Sequence, residues 1–241
     1  MKIVVLGDIH AEWDKLNSFI ANKRPDLILQ TGDFGYWPAM ETEDNRTELD
    51  KLQNRLNKSW KLHGVKNVLS DGKVVPLHWA DGNHEDHFSL EKLREANQLE
   101  TQPGVFYQPR GSTITLSDGR VVLFMGGADS IDKQSRIIGY DWFPSEVISL
   151  SDFQNLPDCK VDIVISHTNP LEFKIFGLND HRGKKQFDPS CYALSRILEI
   201  YHPTHWYFSH YHVFQEGFTN NCKWTCLNRT SQTGWWKWLG D

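Results

Sequence analysis

"KIVVLGDIH", Lys2 to His10, is a continuous apolar run rich in β-branched side chains that stops at a glycine and then presents an aspartate and a histidine. A short run with no polar alternation reads as a strand buried on both faces. The residues that follow agree. "AEWDKLNSFIAN" sets Trp13, Leu16, Phe19 and Ile20 at helical spacing, and "DLILQTGD" is apolar again, so the chain opens as strand, helix, strand.

Working outward, Leu49, Leu52, Leu56 and Trp60 recur every three or four residues and predict a second amphipathic helix over 45–62. "VVPLHWADGN" predicts a third buried strand and "HFSLEKLREAN" the helix after it. "GVFYQPRGSTITLSDGRVVLFMGG" alternates β-rich runs with turn signals, as an antiparallel hairpin does. "VDIVISH" reads as a strand, "SCYALSRILEIY" as a helix, and "HWYFSHYHVFQEGFTNNCKWTCLN" as closing strands around "TNN". The expected fold class is α/β with two mixed sheets.

A chain of 241 residues suits one well-buried domain, here expected over 1–241, and no linker or repeat divides it. No stretch approaches the roughly 20 apolar residues of a membrane span, and "IVVLG" is too short for a signal-peptide core. The expected compartment is cytoplasmic. Cys159, Cys191, Cys222 and Cys226 show no C-x-x-C spacing, so reduced, mostly buried thiols are expected rather than a zinc ribbon or a redox pair. A net charge of −5 argues against a long nucleic-acid surface, which needs clustered Lys and Arg, and leaves room for a local cationic pocket.

The polar residues collect where the apolar runs end. Asp8 and His10 close the first, Asp33 the second, Asn83 and His84 the third, His167 the fourth, and His210 and His212 the last. In open α/β sheets ligands bind beyond the carboxyl ends of the strands. A lone aspartate after a strand is usually a cap or turn residue, and a lone histidine there is usually a hydrogen-bonded one. Five such ends together outweigh those readings. Carboxylate, amide and imidazole donors without thiolates suit Mn²⁺, Fe, Zn²⁺ or Ni²⁺ better than Ca²⁺. On strand geometry alone His210 and His212 share one face and could share one ion.

"GDIH", "GDFG", "GNHE", the histidine of "SHTNP" and "SHYH", in this order, resemble the signature blocks of the calcineurin-like metallophosphoesterase superfamily. The resemblance implies a four-layer αββα sandwich, two mixed β-sheets flanked by helices, with a dinuclear metal site at the strand carboxyl ends. It implies that Asp8, His10 and His212 hold one ion, that Asn83, His167 and His210 hold the other, and that Asp33 bridges them. His210 and His212 would then diverge to separate ions. Such ions lie about 3.5–4 Å apart, and a hydroxide between them attacks phosphorus in line. By the same resemblance His84 is no ligand; it contacts the phosphate and protonates the leaving oxygen. The expected cofactors are two divalent metals, Mn²⁺ first, with Fe, Zn²⁺, Ni²⁺ or Mg²⁺ as alternatives. Gly7, Gly32 and Gly82 are expected to let the backbone turn sharply ahead of the ligands.

Two departures stand out. Ser209 occupies a position where the family commonly has glycine, so a positive φ there would strain the placement of His210. The second block lacks the Asp-Arg-Gly of the protein serine/threonine phosphatases, which disfavours that activity. "GGADSIDKQSRIIGYDWFPSE" resembles a segment of a bacterial and phage-borne subgroup, and puts Asp129, Lys133 and Arg136 near the open rim. Arg136 is a candidate phosphate contact; a surface arginine is the competing reading. Trp37, Trp142 and Phe143 are candidates to wall the pocket and stack on an aromatic leaving group, against ordinary packing. His63, His78, His87, His181, His202 and His205 are expected to be structural, and Trp235, Trp236 and Trp238 to pack on the core or form a partner patch.

The expected activity is hydrolysis of a phosphomonoester or phosphodiester in a small-molecule or nucleotide substrate. Long duplex nucleic acid is disfavoured as a partner because only about 30 residues follow the last block. A nuclease is the alternative enzyme, and a scaffold that has lost catalysis the non-enzymatic one.

Overall fold

The computed structural model describes residues 1–38, 64–177 and 188–240. The helix expected over 45–62, and His63 and His181, lie outside them. One sheet holds β1 (Ile3–Leu6), β2 (Leu27–Gln30), β3 (Leu77–Trp79), β4 (Glu100–Gln102), β5 (Val105–Tyr107) and β12 (Trp236–Trp238), in the order β12-β1-β2-β3-β5-β4. The other holds β6 (Thr113–Thr115), β7 (Val121–Met125), β8 (Ile163–Ser166), β9 (His205–Phe208), β10 (Gln215–Thr219) and β11 (Cys222–Cys226), in the order β10-β11-β9-β8-β7-β6. In each sheet four central strands are parallel and the edge strands antiparallel. The parallel strands therefore aim their carboxyl ends the same way.

Strand periodicity explains the layering. Successive side chains point to opposite faces, and in β1 Ile3 and Val5 join the core between the sheets, with Leu29, Phe124, Ile163 and Ile165. Val4 and Leu6 point the other way, onto Leu16 and Ile20 of α1 (Trp13–Lys23). Leu90 of α2 (His87–Glu95) extends that outer core. On the far side Val164 of β8 meets Leu194, Ile197 and Leu198 of α3 (Ser190–Tyr201). Two sheets face each other with helices outside, the αββα sandwich. Each fully buried Leu, Ile or Phe contributes about 1.5–3 kcal/mol, so the alternation in these short strands carries much of the stability. Among the described residues no helix is long and apolar enough to cross a membrane.

The hairpin expected over 104–127 is only half present. β6 and β7 do pair antiparallel around the "SDG" turn, where Gly119 has a φ of 86°. β5, however, lies parallel to β3 in the other sheet. The segment crosses between sheets at Gln108–Ser112, a change that local sequence does not encode. The terminal tryptophans pack on the first core: β12 pairs with β1, and Phe19 lies 5.0 Å from Trp235 and 5.3 Å from Trp236, ring centre to centre. The four cysteines are free, Cys159 exposed and the others buried.

Arg110 stands at that crossing and ties the two sheets' rims together. Its guanidinium donates to Asp81 from Nε (3.0 Å) and Nη2 (2.7 Å), and to the carbonyls of Ser145, Glu146 and Val147. Both charged groups are buried. Removing one partner of a buried pair leaves the other charge uncompensated. Arg110→Met is therefore expected to lower the unfolding free energy by about 3–5 kcal/mol, read as a shift in the urea midpoint; an unchanged midpoint would show that the pair ties nothing.

Candidate metal centre

Each sequence-predicted ligand sits just past a strand, and four of the seven are on a sharply turned backbone. His10, Asp33, His210 and His212 all have left-handed conformations, with φ of 47°, 53°, 69° and 51°. Such residues cost about 1–3 kcal/mol each and persist where the surroundings over-determine them. The surroundings here are hydrogen bonds between loops. Ile9 and His10 donate their N–H groups to the Asp33 carbonyl (2.9 and 2.8 Å), and His210 N–H donates to Asp8 Oδ1 (3.3 Å). Thr230 donates to the Asp8 carbonyl from both its backbone N (2.8 Å) and its hydroxyl (2.7 Å).

The side chains converge in two groups. In the first, His10 Nε2 and His212 Nε2 face each other at 3.1 Å, and Asp8 Oδ2 lies 3.1 Å from His212 Nε2. That oxygen is buried without a well-aligned hydrogen bond. In the second, His167 Nε2 lies 3.2 Å from both Asn83 Oδ1 and His210 Nδ1. Asp33 stands between them, Oδ1 at 3.3 Å from His167 Nε2 and Oδ2 at 3.7 Å from His10 Nε2. Asp8, His10 and His212, and likewise Asp8, Asp33 and His167, each offer donor atoms within 4.8 Å of one another. His84 is also close: it forms a third such group with His10 and Asp33.

The donors are set up to face a cation. His167 Nδ1 donates to the Thr31 carbonyl (3.0 Å), so Nε2 is the ring nitrogen turned toward the other donors. Imidazole nitrogens 3.1–3.2 Å apart, two buried carboxylates and an orphaned carboxylate oxygen all fit divalent cations held at this place. Electrostatics agree. Burial would raise both carboxylates, yet the histidines around them hold Asp8 below its ordinary range and Asp33 well below it. Burial would lower His167, but Asp33 and Asp8 push it up to about 10; the pocket strongly stabilises positive charge. His210, half-buried beside His167, is pushed down to about 3 by desolvation and the neighbouring imidazole.

Glycines make room. Gly32 has a φ of 104°, and a Cβ there would sit 2.6 Å from His167 Nδ1. Gly7 and Gly82 serve differently from the expectation: neither has a positive φ, and each is glycine because Asn228 O or Asp33 Oδ1 occupies the space of a side chain. Ser209 is likewise not left-handed; the positive φ falls on the histidines either side of Tyr211. Its hydroxyl accepts from Thr31 Oγ1 (2.7 Å), and its N–H donates to the His167 carbonyl (2.9 Å).

Around the centre, Arg136 Nη2 lies 3.2 Å from His84 Nε2, with its Nε paired to Asp132 at 2.7 Å. His84 accepts that bond through Nε2, so its ring proton sits on Nδ1. Burial, with His10 and Arg136 assisting against Asp33, pushes His84 down to about 4. Trp37 departs from expectation. Only 3% exposed, it has no free face to stack on a ligand; its indole N–H donates to the His84 carbonyl (2.9 Å) and supports that residue. Trp142 is half-buried and donates to Glu146 Oε1 at 3.0 Å. Phe143 is buried against Trp37 and His87, and His87 Nε2–H donates to the Gly82 carbonyl.

Glu85 is a further residue of the site that no strand-end pattern marks. Fully buried, it accepts from Gly35 N (3.0 Å) and Gly82 N (2.6 Å), joining the loops that carry Asp33 and Asn83. Burial and Asp33 push its pKa up to about 8. Its place in "GNHE", beside Asn83 and His84, was the one available signal. Ser209→Gly is expected to cost about 1–2 kcal/mol from lost hydrogen bonds and added chain entropy, with metal content unchanged by elemental analysis. Loss of metal would mean that the serine hydroxyl sets the ligand geometry.

The family model described as calcineurin-like phosphoesterase matches residues 1–214, which contain every ligand candidate. Residues 215–240 lie beyond it, yet supply β10 to β12 and the Thr230 clamp on Asp8. Among curated proteins no sequence matches. One solved crystal structure is similar with 15% identity and a TM-score of 0.54, over 95% of this chain and 90% of its own. The crystal structure of TT1561 of Thermus thermophilus gives 14% identity and a TM-score of 0.52, over 95% and 90%. At that identity they show a shared fold. With the family match spanning most of its length and the sandwich in place, this chain belongs to the calcineurin-like phosphoesterases, metal-dependent hydrolases of phosphoester bonds.

Proposed function

We propose that the chain hydrolyses a small phosphorylated molecule or nucleotide at a centre of two divalent cations. The observation that carries this reading is Asp33, whose two oxygens face different donor groups. A carboxylate with one oxygen toward each group is suited to be shared. Asp8, His10 and His212 would hold one cation, and Asn83, His167 and His210 the other. Mn²⁺ suits the oxygen and nitrogen donors, with Fe, Zn²⁺, Ni²⁺ or Mg²⁺ as alternatives. Two bound cations would neutralise phosphate oxygens and lower the pKa of water toward about 7.

The surrounding residues have separate tasks. Arg136, a planar double donor beside His84, binds phosphate oxygens and holds the reacting group against the centre. His84 contacts the phosphate, whose negative charge would favour the protonated ring that His84 needs to pass a proton to the leaving oxygen. Its position is kept by the Trp37 indole on its carbonyl and by Asp33 Oδ1 on its N–H (2.9 Å). Trp142, half-buried on the loop that carries Arg136, offers an aromatic wall to the leaving group. The net charge of −5 supports a small substrate over a long polyanion.

Elemental analysis of protein loaded with Mn²⁺ is expected to find two ions per chain, with hydrolysis of p-nitrophenyl phosphate or its bis ester. Asp33→Asn is expected to lose bound metal and activity together; equal rates for variant and parent would sink the proposal. His84→Ala is expected to keep both ions and lose about 10²–10⁴-fold in kcat, whereas loss of metal would make His84 a ligand. Cleavage of duplex DNA at ordinary salt would overturn the small-substrate assignment.

A further inference from the structure

The loop over 128–146, which carries Arg136 to His84, has no surplus of positive charge. It holds four acidic residues, Asp129, Asp132, Asp141 and Glu146, against two basic ones, Lys133 and Arg136. Both basic side chains are paired inside the loop with an aspartate four residues earlier. Lys133 Nζ lies 2.9 and 2.6 Å from the two carboxylate oxygens of Asp129, and Arg136 Nε lies 2.7 Å from Asp132 Oδ1. The loop therefore brings cationic groups to the metal centre without bringing net positive charge.

Arg136 is held in place from three sides. Its side chain is only 8% exposed. Nε serves Asp132, one Nη1 hydrogen serves the Asp141 carbonyl (3.2 Å), and one Nη2 hydrogen faces His84 Nε2 (3.2 Å). Among the described residues this leaves the second hydrogen on each Nη for phosphate oxygens. Asp132 and His84 sit on different nitrogens of the same guanidinium, so the Asp132 carboxylate lies one guanidinium away from His84. Its side chain is 52% exposed. The backbone of the loop is closed without that carboxylate, by Ala128 N–H on the Glu146 carbonyl (3.0 Å) and Ser135 N–H on the Asp132 carbonyl (2.8 Å). Exposed ion pairs also add little to stability. What the carboxylate does add is a fixed negative charge beside the phosphate position. Its repulsion doubles when the phosphate carries two charges rather than one. Near neutral pH a phosphomonoester carries almost two, because its second pKa is about 6, and a phosphodiester carries one.

We propose that Asp132 is a specificity-determining residue, which lets Arg136 orient the phosphate while biasing the site toward the single charge of a phosphodiester and against the double charge of a monoester. The inference rests on the phosphoesterase reading above and narrows it to one substrate class.

The test compares the Mn²⁺-loaded parent with Asp132→Asn at about pH 8, where a monoester is dianionic. The amide keeps an acceptor oxygen for Arg136 Nε and removes only the charge. Binding of inorganic phosphate and of dimethyl phosphate is followed by calorimetry, and kcat/KM is measured for p-nitrophenyl phosphate and its bis ester. The parent is expected to favour the bis ester. Asp132→Asn is expected to tighten inorganic phosphate about 3- to 10-fold relative to dimethyl phosphate, and to shift kcat/KM toward the monoester by a similar factor. Asp132→Ser carries the same expectation if melting curves show that the asparagine variant does not fold. Equal changes for both ligands, or a parent that favours the monoester, would overturn this inference alone. No turnover of either ester by the parent would overturn the phosphoesterase reading and this inference with it.

Discussion

Two carboxylates, Asp8 and Asp33, are buried within reach of the same imidazole, His10. Like charges in a low-dielectric interior persist only beside compensating positive charge. Among the described residues their ion pairs are all with histidines, His10, His167 and His212. A lysine or arginine in that role would neutralise the pocket permanently. Imidazoles instead can give up their protons to an incoming cation, and the upward push of Asp33 and Asp8 on His167 has the same electrostatic cause. Much of the rim can be understood as the means of keeping these groups together.

Those means are mostly backbone. The left-handed turns at His10, Asp33, His210 and His212 are unfavourable in isolation. They are held by bonds from elsewhere: Asp33 O on the His10 loop, Thr230 on Asp8, and Glu85 across Gly35 and Gly82. Packing the two sheets face to face supplies the rigidity, since the apolar core between them reaches up to the residues just before these turns. The Arg110–Asp81 pair adds a polar tie at the same level. Stability invested in the sandwich is thus what permits strain at its rim.

The fold was legible where one pattern sufficed. Apolar runs ending in Asp, Asn or His located β1, β2, β3, β8 and β9, and helical spacing located α1, α2 and α3. It was illegible where the sheet partner mattered. Val105–Tyr107 looks like the first arm of a hairpin, and only the exposed edge of β3 in the other sheet explains why it pairs there. Trp37 shows the same limit at the site: an aromatic residue after a ligand-bearing loop reads equally as platform or strut, and burial decides.

By itself the sequence determined the element types, the strand ends that carry donors and the chemical character of those donors, because each depends on residues adjacent in the chain. Only the tertiary structure decided which donors share a group, that Asp33 faces both, and that Ser209 is a hydrogen-bonding residue rather than a strained one. It alone connected Asn83 to Ser130 and Glu146, which lie 47 and a further 16 residues along the chain. The physical reason is that hydrogen bonds and charge compensation act over about 3–4 Å in space, and nothing in local periodicity records which distant segments the packing of two sheets will bring within that range.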